Sequence, residues 1–185
     1  IFKLRHICVF SINKDMEINK NLVFLGMMGS GKTTLGKIVS NKLNKRFVDI
    51  DKEIEFKEGM KISDLFQKKG ESFFRKLEEK ISLQNLKITN SVISLGGGAF
   101  INKKIQNEVL KNHISIWLKW DNKNLIKRIR NSKNRPIALR HNDYELDKLI
   151  NKRSKIYSKA NYQIKCDNLS KIEITKKIIK LNEKN

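Results

Sequence analysis

The feature that most narrows the folds open to this chain is the run Gly26-Met27-Met28-Gly29-Ser30-Gly31-Lys32-Thr33, set between an apolar tetrapeptide and an amphipathic stretch. The pattern G-x-x-x-x-G-K-[ST] needs a strand ending just before it and a helix starting just after it. Its glycines let backbone N–H groups turn inward around a phosphate chain, and the helix N-terminus adds its positive dipole. Leu22-Val23-Phe24-Leu25 supplies the strand and Thr33 to Leu43 the helix, so the motif stands in the required context. Lys32 would neutralise the β and γ oxygens of a nucleoside triphosphate, and the Thr33 hydroxyl would ligate Mg²⁺. Gly29, Ser30, Gly31 and Thr34 complete the candidate nucleotide-binding loop.

From Asn21 onward short apolar runs alternate with longer amphipathic ones, the signature of β-α repeats that build a parallel sheet covered on both faces. Phe47 to Asp49, Val92 to Leu95, Ile114 to Leu118 and Tyr162 to Cys166 read as four further strands. Helices are expected over Lys52 to Glu58, Ile62 to Lys69, Glu71 to Ile88, Lys103 to Lys111, Asn122 to Arg130 and Asp143 to Ala160. Ser63 and Asp121 read as capping side chains at helix starts. The expected architecture is α/β: a three-layer P-loop NTPase fold, with a five-stranded parallel sheet and helices on both faces. The polar stretch Asn131 to Asn142 holds the only proline and reads as a mobile lid.

A chain of 185 residues fits one domain. Residues 16–185 are expected to form the catalytic domain, with functional sequence beginning at Met16 and residues 1–15 an extension of no catalytic use. The formal charge of +21 would on its own point to nucleic acid or an anionic membrane surface. The lysines are scattered rather than gathered into one tail, so neither partner is expected, and a basic field also draws in anionic small molecules. No run approaches the roughly 18 apolar residues of a membrane span. Two cysteines, Cys8 and Cys166, form no disulfide framework, and a reducing cytoplasm is the natural setting.

A phosphate loop specifies a nucleotide and leaves the acceptor open. A base-reading Asn-Lys-x-Asp segment is missing, which argues against a switch GTPase. Asp49-Ile50-Asp51 ends the second strand, where ligands of doubly wound sheets bind. One acid can serve the metal while the other accepts a hydrogen bond from the attacking hydroxyl, or both can simply cap the next helix. Phe74-Arg75-x-x-Glu78 places a guanidinium, whose planar fork suits a carboxylate, three residues from an acid, although such a pair can equally be a surface salt bridge. Gly96-Gly97-Gly98 closes a buried strand, where a ligand approaching the backbone or a sharp turn would explain it.

Taken together, the phosphate loop, Asp49-x-Asp51, Phe74-Arg75-x-x-Glu78, Gly96-Gly97-Gly98, Arg135-Pro136 and Arg153 resemble shikimate kinases from Asn21 to the C-terminal helix. The resemblance implies an ATP-dependent phosphotransferase, acting on the 3-hydroxyl of shikimate in the pathway to chorismate and aromatic amino acids, with Mg²⁺ as cofactor. It implies that Asp51 contacts the acceptor hydroxyl and that Asp49 joins Thr33 at the metal. Phe74 would line the ring pocket, Arg75 and Arg153 would hold the substrate carboxylate, and the Gly97 and Gly98 backbone would touch the substrate. Arg135 would act from the lid on the γ-phosphate, and Arg128 would stack near adenine, close to the backbone of Cys166-Asp167-Asn168. Lys32, Asp51 and Arg135 are thus the expected catalytic set, in a monomer whose partners are ATP and shikimate alone. Rival readings are another P-loop small-molecule kinase or an ATP-using nucleic-acid-binding protein.

Overall fold

The computed structural model describes residues 20–131 and 141–184. The expected extension at residues 1–15 lies outside them. Five strands form one sheet in the order β2-β3-β1-β4-β5, and every pairing is parallel. The strands are β1 (Leu22–Leu25), β2 (Arg46–Asp49), β3 (Ser91–Ser94), β4 (Ile114–Lys119) and β5 (Tyr162–Lys165). Between and after them run α1 (Lys32–Leu43), α2 (Ile50–Glu58), α3 (Ile62–Leu86), α4 (Lys103–Asn112), α5 (Asn122–Arg130), α6 (Asp143–Tyr157) and α7 (Lys171–Asn182).

Alternation along the central strand sets the three layers. Leu22 and Phe24 face one core, shared with Leu35 and Val39 of α1 and Ile174 and Ile178 of α7. Val23 and Leu25 point the other way, into a core with Leu65 and Ile81 of α3, Ile105 of α4 and Ile150 of α6. Both faces of β1 are therefore apolar and fully buried, as a parallel sheet covered on two sides requires. Because β1 sits mid-sheet while its neighbours connect to opposite flanks, its C-terminal end is the topological switch point, and the phosphate loop emerges there.

Three local expectations change. Helix α2 begins at Ile50 rather than Lys52, so Asp51 lies in its first turn and not on an extended strand. Ser63 does not cap α3: its Oγ bonds the Asp64 carboxylate at 3.1 Å, and Lys61 holds the cap position without a side-chain bond. The two helices expected on either side of Gly70 run as one element broken there, at φ 79° and ψ 169°, a conformation open to glycine but not to L side chains. The other cap is as expected, since Asp121 Oδ1 accepts from the backbone N–H groups of Lys123 and Asn124.

Candidate active site

The phosphate loop wraps the start of α1. Gly31 occupies the N-cap position at φ 94°, where a side chain would be strained, and no side chain caps the helix. The first N–H groups of α1 are thereby left facing the loop interior. Lys32 is buried at the centre, its Nζ donating to the carbonyls of Gly26 at 2.8 Å and Met27 at 3.0 Å. These bonds hold the ammonium across the cradle in which a phosphate would replace the carbonyls.

Asp49 combines both roles open to it in the sequence. Oδ2 accepts from the Thr33 hydroxyl at 2.6 Å, whereas Oδ1 caps α2 through the N–H groups of Asp51 and Lys52. Thr33 and Asp49, the two expected metal-site residues, are therefore in contact at the mouth of the phosphate loop. One hydroxyl and one carboxylate are the hard oxygen donors Mg²⁺ takes, with its other positions left to water and phosphate. Among the described residues no cluster of three or more His, Cys, Asp or Glu offers a larger metal site.

The tight cluster lies where β3 ends. A Cβ built on Gly96 would stand 2.5 Å from Glu78 Oε1 and 2.7 Å from Asp51 Oδ1, so both acids converge on that one point. A Cβ on Gly98 would stand 2.6 Å from Arg75 Nη1, and one on Gly97 would stand 3.2 Å from the Met28 nitrogen of the phosphate loop. The glycines form the turn that the sequence allowed, closed by Ala99 N–H donating to Gly96 O at 3.1 Å, and they leave room for the site's own acids, guanidinium and loop. Desolvation raises the Asp51 carboxyl to about 6, with the negative charge of Asp49 adding to it and Lys32 opposing.

Arg75 does not form the surface pair that its spacing allowed. Its Nη1 donates at 2.7 Å to Glu78, a residue only 3% exposed, while Nε and Nη2 reach Glu71. Burial works against the charge on Arg75, but the two glutamates outweigh it and its pKa is raised. Burial also pushes the Glu78 carboxyl upward, against the opposing pull of Arg75 and Arg153. Across from them Arg153 of α6 is buried, with Nη1 donating to Gly97 O at 3.1 Å. Its Nε has no hydrogen-bond partner among the described residues. Between these groups opens a cleft of about 420 Å³, lined among others by Arg75, Glu78, Gly98, Lys152 and Arg153.

The set joins a nucleotide cradle to an acid pair and a cleft walled by cations, and comparison with known proteins decides its family. The family model described as shikimate kinase matches residues 28–183. The shikimate kinase of Sulfurihydrogenibium sp. is 41% identical over 160 residues, covering 86% of this chain and 96% of that protein. The chain belongs to the shikimate kinase family. The solved shikimate kinase from Acinetobacter baumannii, in complex with shikimate, superposes with a TM-score of 0.85 at 30% identity, covering 93% of this chain and 97% of that one. The Aquifex aeolicus shikimate kinase gives 0.79 at 35% identity, covering 89% and 96%. A deoxyadenosine kinase from M. mycoides, at 16% identity and a TM-score of 0.59, shares the fold.

Against what a shikimate kinase resemblance implied, Lys32, Thr33, Asp49, Asp51, Arg75, Gly97, Gly98 and Arg153 come together. Phe74 is buried, its ring tilted against that of Phe66 at 4.6 Å between centroids, with the Arg75 guanidinium 5.1 Å from its own ring. Arg128 lies over the phosphate loop, its Nε donating to Gly29 O at 2.9 Å. Thr34 is exposed at the start of α1. Arg135 lies outside the described residues. Three contributors escaped sequence reasoning. Glu71 sits one helical turn before Arg75, a spacing that could have flagged it. Tyr157, whose hydroxyl donates to Gly97 O, and Trp120, whose indole reaches Ser30, act across contacts of 60 and 90 residues that no local pattern encodes.

Proposed function

We propose that this chain transfers the γ-phosphoryl group of ATP to the 3-hydroxyl of shikimate, with Mg²⁺ and with Asp51 as the group that receives the hydroxyl proton. The observation that carries the reading is the convergence of Asp51, Glu78 and Arg75 on Gly96 and Gly98, directly against the phosphate loop. Hydroxyl, carboxylate and triphosphate can then be held within one site. The 3-oxygen attacks the γ-phosphorus, the bond from that phosphorus to the β,γ-bridging oxygen breaks, and ADP leaves as the hydroxyl proton passes to Asp51. A carboxylate titrating at about 6 is a stronger base than an ordinary aspartate and is still ionised at neutral pH.

Recognition of the substrate carboxylate falls to Arg75 and Arg153. Glu71 and Glu78 hold the Arg75 fork in one orientation, and the buried Nε of Arg153 is a donor awaiting an acceptor. Bound Mg²⁺ would be held by Thr33 and Asp49 and would supply charge neutralisation of the β and γ oxygens. Lys32 works beside it, and Arg135 from the lid region completes the cationic set. Catalysis here is positioning and electrostatics with no covalent intermediate. The enzyme is expected to act as a cytoplasmic monomer, with neither nucleic acid nor membrane as partner; among the described residues no helix is long and apolar enough to cross a membrane. A coupled ADP-release assay with shikimate, quinate and gluconate side by side tests the acceptor. Shikimate should dominate, and a rate with gluconate equal to or above it would overturn the reading.

A further inference from the structure

Two side chains from the segment after β4 reach across to the outer wall of the phosphate loop. The Trp120 indole Nε1 donates to Ser30 O at 2.9 Å, and Arg128 Nε donates to Gly29 O at 2.9 Å. The Arg128 guanidinium lies 4.1 Å from the Trp120 ring centroid, so indole and guanidinium brace each other while gripping consecutive carbonyls. A Cβ on Gly31 would stand 3.7 Å from Arg128 Nη2, which places the guanidinium beside the loop's last glycine.

We propose that Trp120 is a positioning residue for the nucleotide: together with Arg128 it pins the Gly29 and Ser30 carbonyls outward and so keeps the loop shaped for the triphosphate. The reason is peptide geometry. In a trans peptide the C=O and N–H point in opposite directions, and no peptide among the described residues is cis. Holding the Ser30 carbonyl on the Trp120 side turns the Gly31 N–H to the inner side. The preceding Ser30 N–H closes a turn onto Met27 O at 3.2 Å, which ties the same segment from within.

Such a brace matters because this loop is glycine-rich. Gly26, Gly29 and Gly31 all adopt positive φ, and glycine backbone has more freedom to lose on ordering than any other residue. Bracing the loop before the nucleotide arrives lowers the ordering cost of binding. Trp120 suits the task. It is half-buried, packs against the cores on both faces of the sheet, and sits one residue past β4, so its donor is held by the framework rather than by the loop.

The test is Trp120→Phe, which keeps a ring for Arg128 to stack on and removes only the N–H donor. The KM for ATP should rise about five-fold, the effect of one neutral hydrogen bond, with kcat nearly unchanged because ground and transition states lose the same contact. The KM for shikimate should stay at the parent value. An ATP KM within about two-fold of the parent, or equal rises in both KM values, overturns the proposal. Should Trp120→Phe fail to fold, a Trp117→Phe variant leaves Trp120 as the sole tryptophan of the two in the chain. Trp120 emission should then be about equally shielded from acrylamide with and without saturating ADP, since the indole is already bonded to the loop; a large drop in quenching on adding ADP, which would mean that the brace forms only with nucleotide, overturns the proposal equally.

Discussion

Replacing Asp51 by asparagine should make this protein more stable at pH 8 while abolishing turnover. In the folded chain the Asp51 carboxyl titrates at about 6, against 3.8 as the ordinary value, because protein displaces water around it and Asp49 adds negative charge. A carboxyl with a raised folded-state pKa binds its proton more tightly in the native state than in the unfolded one. Its presence is therefore neutral to stability below 3.8, and it costs progressively more as pH rises from there through about 6. Two pK units would correspond to about 3 kcal/mol, which partial exposure of the group reduces to ~1–2 kcal/mol. For a chain of this size that is a rise in Tm of about 4 °C. Melting curves of parent and Asp51→Asn between pH 5 and pH 8 provide the assay. The variant's advantage should be largest at pH 8 and shrink towards pH 5, while ATP binding by titration stays near the parent value. In the parent, kcat/KM should fall as pH drops through about 6, since the acceptor of the hydroxyl proton is then already protonated. A variant that melts lower than the parent at pH 8, or by a pH-independent amount, refutes the buried-charge account. Substantial retained kinase activity would falsify the catalytic role.

Three further outcomes follow from the same geometry. Arg75→Lys should raise the shikimate KM about ten-fold at unchanged ATP KM, because an ammonium cannot present a fork to a carboxylate while also satisfying Glu71 and Glu78; steady-state kinetics in both substrates read this. In Gly98→Ala the new methyl would meet Arg75 Nη1 at 2.6 Å and must displace the guanidinium. Shikimate affinity should then drop by calorimetric titration while ADP affinity holds, and equal losses for both ligands would count against the placement. Chelation of divalent cations should abolish turnover and readdition of Mg²⁺ restore it. In Thr33→Val, which lacks the hydroxyl that reaches Asp49, about ten-fold more Mg²⁺ should be needed for half-maximal rate.

Much of this was legible in the chain. The phosphate loop announces itself because a glycine-rich turn, a lysine, a hydroxyl and two flanking periodicities must coincide locally, and the inner strands β1, β3 and β4 follow because they are buried on both faces. The Asp49-x-Asp51 spacing marks the pair but not its geometry. Asp49 caps a helix that begins one residue later, so Asp51 reaches the site from a helical turn rather than from a strand end. The glycines after β3 do make a turn, as their run suggests, but the sequence gives no sign that the space they leave is filled by Asp51, Glu78 and Arg75.

Local chemistry in the sequence determined that a triphosphate is cradled after β1, that a parallel sheet carries the cradle, and which residue types are available for an acid and a carboxylate clamp. Folding alone decided which of them meet. Glu78 became a buried partner rather than a surface charge, Arg153 came to share the Gly97 carbonyl with Tyr157, and Trp120 came to grip a loop 90 residues away. The physical reason is range: helix periodicity, caps and glycine turns act within a few residues, while burial and the pairing of charges depend on which distant surfaces the sheet brings together.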